Sequence, residues 1–220
     1  MFRLNLLTCL FCIIPCAFIF SQEYKVLDES NLGWKKIKEK NGFIVLTKES
    51  ETTPIKSIRV IFEFEASLES VYEVLSDIDS YSEWIFKAKK ANLIDSVDST
   101  KYYYYINFDM PFPVWDRDNV IFTTIQKDMK KGVVTFDSVA APSYIPDVDG
   151  IVRVQTLESH WHIKEIENGM IHIDYHGFAD PSGSIPTWLA NLALTSGPTK
   201  SFEEFKVRVN ELDKSKQGLR

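Results

Sequence analysis

The sequence predicts an α+β fold: a curved antiparallel β-sheet wrapped around one long C-terminal α-helix, with two short helices after the second strand. Three observations predict it. The chain from Ala88 to Ala179 reads as strand after strand, separated by turn signals such as Lys130-Lys131-Gly132 and Asn168-Gly169. Only one later segment, from Ile185 to Leu212, carries a helical apolar stripe long enough to cover a sheet face. Nine Gly, nine Pro and 13% aromatic residues suit tight turns between half-buried strands. The length of 220 residues fits one domain. Lys and Arg number 25 against 31 Asp and Glu, a net charge of −6 with no markedly basic stretch. Nucleic acid is therefore not an expected partner.

The elements follow in order. Residues 4–20 form an almost unbroken apolar run behind Arg3 and end in Phe18-Ile19-Phe20-Ser21-Gln22. A positive start, an apolar middle and a small residue before a polar one predict a cleaved signal peptide, residues 1–21, cut after Ser21. The alternative is a retained anchor helix, against which Asn5, Pro15 and the marginal length all weigh. Cys9, Cys12 and Cys16 all lie in this segment, so the mature chain, 22–220, has no thiol for disulfide or metal chemistry. The expected location is periplasmic or secreted.

A short helical start precedes two strands, near 42–48 and 56–65. In the second, Ile58, Val60, Phe62 and Phe64 alternate with Arg59, Glu63 and Glu65, the period of a half-buried strand. Ser67 stands as N-cap before Leu68, Val71, Tyr72 and Leu75, which share one helical face. Residues 77–84 continue as a second short helix or turn. Six further strands are expected, near 88–96, 100–109, 118–127, 131–139, 151–166 and 170–179. A two-residue Asn168-Gly169 turn is expected between the last two. The final helix should fall into two segments, with a kink or short break at Gly197-Pro198. One helix cannot cover a sheet of this size unless the sheet curls around it, and the gap between them is the natural ligand cavity.

Three motifs, in this order and spacing, carry a resemblance. They are Trp34 with Gly42-Phe43-Ile44-Val45 and the helix pair ending at Trp84, then Pro111-Phe112-Pro113-Val114-Trp115-Asp116-Arg117-Asp118, then Asp180-Pro181-Ser182-Gly183-Ser184-Ile185-Pro186-Thr187-Trp188. Over about 32–212 the chain resembles the START lipid-transfer domains of the birch-pollen-allergen-like, helix-grip superfamily. That resemblance implies a helix-grip fold, no cofactor, and a lipid or other hydrophobic small molecule held beneath the C-terminal helix. Sterol-type members carry an Arg–acid pair inside the cavity. Here the position that matches the Arg is Thr123 and the acid's position falls near Tyr104, so the charged pair is missing and only hydroxyls remain to hold a polar head.

The expected lipid-binding residues follow from this placement and from strand parity. If Thr123 faces inward, so do Ile121 and Ile125; if Tyr104 does, so do Ile106 and Phe108. Trp161 joins the wall, and Trp188, Leu189 and Leu192 form the helical roof. Phe112 and Trp115 sit on the lip, where they could touch a membrane transiently or pack down on the core. Arg117 is either a polar anchor at the cavity mouth or, preferred, a strand-end ion pair with Asp116 or Asp118. No metal site is expected. The two-residue turn would split His160, His162, His172 and His176 two and two across the sheet. No nucleophile elbow, phosphate loop or dinucleotide fingerprint appears. The leading expectation is a non-catalytic lipid carrier. The alternatives are a cyclase or hydrolase with His162 or His176 as its base, and a ligand-sensing module.

Overall fold

The computed structural model describes residues 32–183 and 185–218. The segment read as a signal peptide and the side chains of Trp188, Leu189, Leu192, Ala193, Thr195 and Ser196 lie outside the described residues.

The chain opens with β1 (Trp34–Lys40), β2 (Phe43–Lys48) and β3 (Ser57–Glu65), then α1 (Leu68–Ser76), a 3₁₀ turn at Ile78–Ser80, and α2 (Tyr81–Trp84). The strands β4 (Ala88–Asp98), β5 (Lys101–Phe108), β6 (Asp116–Asp128), β7 (Val133–Ala140), β8 (Ile151–Arg153), β9 (Thr156–Glu165) and β10 (Met170–Asp180) follow, and α3 (Thr187–Gly218) closes the chain. One sheet runs in the order β1-β2-β3-β10-β9-β7-β6-β5-β4, with β8 beside β6. The β6–β8 contact is parallel and the strand pairs along the main path are antiparallel. This is the helix-grip arrangement that the element order implies.

Alternation decides which face grips the helix. In β3, Ile58, Val60, Phe62 and Phe64 are buried while Glu63 and Glu65 are exposed. The α1 helix starts where Ser67 Oγ accepts a hydrogen bond from the Ser70 backbone N–H at 3.1 Å. The Asp213 carboxylate accepts from the N–H and hydroxyl of Ser67 at 2.9 and 2.7 Å, tying the start of α1 to the far end of α3.

The carboxyl-terminal half of α3 is the plug of the core. Phe205 is fully buried and meets Phe64, Trp84 and Trp161 at ring separations of 6.2, 5.3 and 5.8 Å. Phe202 meets Phe62, Trp161 and Tyr175 at 5.3, 5.2 and 5.1 Å. These lie within the range of favourable aromatic pairs. Arg208 with Asp77 and Glu83, and Lys216 with Glu73, bracket the same half at the surface. Among the described side chains of the amino-terminal half, Asn191 bonds the backbone of Pro54 and Lys56, and Ser201 that of Phe86.

Four expectations are corrected. The start of the chain is a strand, not helical: Asn41 and Gly42 both take positive φ (54° and 79°) and turn β1 back along β2. Its lysines at 35, 36, 38 and 40 stay exposed. They mark a charged edge that resists further pairing, and that edge has no apolar alternation to betray it. The run 151–166 is two strands, β8 pairing with β6 and β9 with β7 and β10. The last hairpin turns through three residues, Glu167–Gly169, with Asn168 and Gly169 both left-handed. Finally, no break interrupts α3, which continues through Pro198.

Phe205→Ala should lower stability by about 3–5 kcal/mol, the cost of removing a buried phenyl ring. Val207→Ala, on the exposed side of the same helix at 52% exposure, should stay within about 0.5 kcal/mol. Urea unfolding of both variants checks this.

Candidate functional site

Between the inner sheet face and the amino-terminal half of α3 lies a cavity of about 570 Å³. That is within the roughly 300–1,000 Å³ range of small-molecule sites. Register builds its main wall. Tyr104 pairs with Ile121, Ile106 with Asn119, Phe108 with Arg117 and Tyr102 with Thr123, so β5 and β6 present matched inward rungs. Leu157, Ser159 and Trp161 of β9 and Tyr175 of β10 continue the wall. Leu75, Tyr81 and Trp84 come from the α1–α2 region, and Ala190, Leu194 and Phe202 from α3.

The wall is mostly apolar, with polar groups at a few points. Thr123 Oγ1 and Ser138 Oγ share a hydrogen bond of 2.8 Å. Burial pushes the Tyr175 phenol up to about 12, and it raises those of Tyr102 and Tyr104 further. Tyr175 folds over Gly177: a Cβ there would stand 2.5 Å from the phenol oxygen, so glycine makes room for the ring.

At the mouth, Arg117 is only 5% exposed. It does not form the expected ion pair. Its Nε donates to the Pro181 carbonyl at 3.4 Å, Nη2 to that of Ser182 at 3.3 Å, and Nη1 to that of Trp115. The flanking acids turn elsewhere. Asp116 meets Lys89 at 2.7 Å. Asp118 takes both arms of the buried Arg153 at 2.6 and 3.0 Å. Arg153, absent from the expected site, competes successfully because β8 lies alongside β6. Burial lowers the pKa of Arg117, against partial support from the Asp116 charge.

Of the expected residues, Tyr104, Ile106, Phe108, Arg117, Ile121, Thr123 and Trp161 line this one cavity. Ile125 has the inward parity but lies beyond Tyr102, and it borders a second, smaller cavity of about 230 Å³. Phe112 and Trp115 are not wall residues: at 97% and 62% exposure they project from the loop beside the mouth. The side chains of Trp188, Leu189 and Leu192 lie outside the described residues. Tyr102 and Asn119 were missed, although each stands two residues from an expected inward residue on the same strand. Ser138, Leu157 and Tyr175 required the strand pairing itself.

The histidines are corrected as a group. The three-residue turn shifts the register by one, pairing His176 with His160 and Asp174 with His162. All four then share the outer face, opposite Trp161 and Tyr175. There His160 meets Asp137 at 2.5 Å and His172 meets Glu63 at 2.8 Å. Arg59 and His176 hold Asp174. Although burial opposes its charge, these partners keep the Asp174 carboxyl well below the usual range. None of these imidazoles faces the cavity as a base. No group of three or more His, Cys, Asp or Glu side chains among the described residues could hold a metal ion.

Fold and site define a helix-grip protein with an apolar cavity between its sheet and its C-terminal helix. The chain belongs to the START domain family, whose model matches residues 20–215. It is similar to the STAR-related lipid transfer protein of Xanthomonas axonopodis: TM-score 0.74, 27% identity, covering 81% of this chain and 99% of that one. An uncharacterised Pseudomonas aeruginosa protein is 28% identical, covering 77% of this chain and 83% of its own length. Mouse phosphatidylcholine transfer protein is 24% identical, covering 74% and 78%.

The raised phenols have a pH consequence. The neutral form is favoured in the fold, so their contribution to stability is intact below about pH 10, the ordinary tyrosine value. It is lost as pH rises through the folded value, about 12 for Tyr175. Ultraviolet titration should show a component near that pH, shared by Tyr105, Tyr144 and Tyr175, with Tyr102 and Tyr104 ionising later. Tyr175→Phe should reduce that component by one tyrosine without abolishing it.

Proposed function

We propose that this protein binds one hydrophobic lipid in the cavity beneath α3 and carries it without chemical change. The observation that carries this reading is the chamber of about 570 Å³ walled mainly by apolar and aromatic side chains. Each methylene transferred from water into such a wall gains about 0.8 kcal/mol. An acyl chain of ordinary length therefore binds without any charged contact. The named lipid-transfer relatives support the same class. Ile106, Phe108, Ile121 and Trp161 hold the guest along its length.

Loading belongs at the mouth. Phe112 and Trp115 project beside Met110 and Pro111 of the cavity rim, in reach of a bilayer surface. Transient membrane contact through these two rings brings the guest to the opening. Residues 1–21 direct export to the periplasm or the medium.

Native mass spectrometry of purified protein, followed by lipid extraction, tests the carrier reading: one lipid per chain is expected, and a chain that never takes up lipid overturns it. Ile106→Trp, which pushes a larger ring into the chamber, should lower occupancy while leaving the fold intact by circular dichroism. Replacing Phe112 and Trp115 together by Ser should slow lipid transfer between vesicles about tenfold, with equilibrium occupancy changed less than twofold.

A further inference from the structure

We infer that the lipid carries an acidic head, a carboxylate or a phosphate, gripped by the Arg117 guanidinium where the cavity meets its mouth. This rests on the carrier reading and narrows its ligand class.

A guanidinium at 5% exposure normally has a carboxylate beside it. Arg117 has three carbonyl acceptors and, among the described residues, no ion pair. Both neighbouring acids are consumed, Asp116 by Lys89 and Asp118 by Arg153. Three of its five N–H groups are engaged, which leaves two for a guest. The other charged groups along the rim do not neutralise it. Lys87 and Asp109 pair with each other at 3.2 Å. Glu158 is exposed and alternates out of phase with the inward Leu157 and Ser159. The cavity wall thus holds one buried formal charge, and it is positive.

Asn119 is the second observation. It is the next inward residue on β6, about 6.6 Å along the strand. It lines the cavity, is 5% exposed, and its Oδ1 has no hydrogen-bond partner. A carboxamide with an unpaired acceptor beside a guanidinium with spare donors suits a head group bearing anionic oxygens and a hydroxyl or acid proton. Position agrees with chemistry. Arg117 sits on the same rung as Phe108, close to the rim residues Met110 and Pro111, and the apolar rungs run inward from it to Tyr102. An amphiphile so placed buries its chain and keeps its head at the opening, where the planar fork of arginine matches carboxylate or phosphate oxygens.

Two matched probe pairs test this at pH 8: palmitate against hexadecanol, and palmitoyl lysophosphatidate against monopalmitoylglycerol, each competed at equal concentration and read by native mass spectrometry. The acidic member of at least one pair should win by at least tenfold, and the pair with the larger ratio identifies carboxylate or phosphate. In Arg117→Gln the ratio should fall to within twofold while the neutral probe still binds. Asn119→Leu, which removes an acceptor that only a protonated or hydroxyl-bearing head can use, should weaken hexadecanol more than palmitate, so that the palmitate/hexadecanol ratio does not fall. Equal binding of acidic and neutral probes by the unmodified protein overturns the acidic head and leaves the carrier reading standing. Binding of none of the four overturns the carrier reading itself. If Arg117→Gln loses acidic and neutral probes alike, Arg117 acts only as a clasp on the β10–α3 loop, and its assignment as the head anchor falls.

Discussion

The structure depends on one shortage: among the described residues, a ten-stranded sheet has a single long helix to cover its inner face. The shortage is not spread evenly. The carboxyl-terminal half of α3 is driven into the sheet by Phe202, Phe205 and Val209, all buried. Aromatic contacts to Phe62, Phe64, Trp84 and Trp161 lock it there. In the amino-terminal half, Ala190 and Leu194 face the cavity and Asn191 ties the helix to the Pro54–Lys56 loop. One end of the helix is core and the other is roof, and this division creates the chamber.

Polar groups respect the same division. The outer face of β3, β9 and β10 gathers Arg59, Asp174, His160, His172 and His176 into polar pairs, as half-exposed charges require. Inside, the hydroxyls of Thr123 and Ser138 satisfy each other. Arg153 and Asp118 form a buried pair whose guanidinium also binds the carbonyls of Pro142, Ile145 and Pro146. That pair fixes the loop between β7 and β8, and it withdraws from Arg117 the acid that sequence adjacency offers it.

The fold was legible because periodicity is local. The alternation of β3, the cap at Ser67 and the single long apolar helix each follow from neighbouring residues, and so does the inward parity of Tyr104, Ile106, Ile121 and Thr123. What escaped is long-range or hidden by charge. The lysines of β1 mask a strand that only its turn and its partner reveal. One extra residue in the Glu167–Gly169 turn moves every histidine to a common face, because a slip of one residue exchanges the two sides of a strand. The partner of Asp118 is 35 residues away in sequence, beyond any motif. Parity placed Ile125 on the correct face but could not say that the chamber ends at Tyr102.

A chamber of this size constrains its own contents. A space of about 570 Å³ leaves the apolar side chains that line it short of dispersion contacts. Water reaching in through the mouth relieves part of that, but apolar walls give it few hydrogen bonds. A guest that is greasy along its length and polar at one end satisfies both parts of the wall: its chain restores the missing dispersion contacts and its head meets the polar groups at the rim. The incomplete cover of the sheet is therefore tolerable in proportion to how well a guest completes the core.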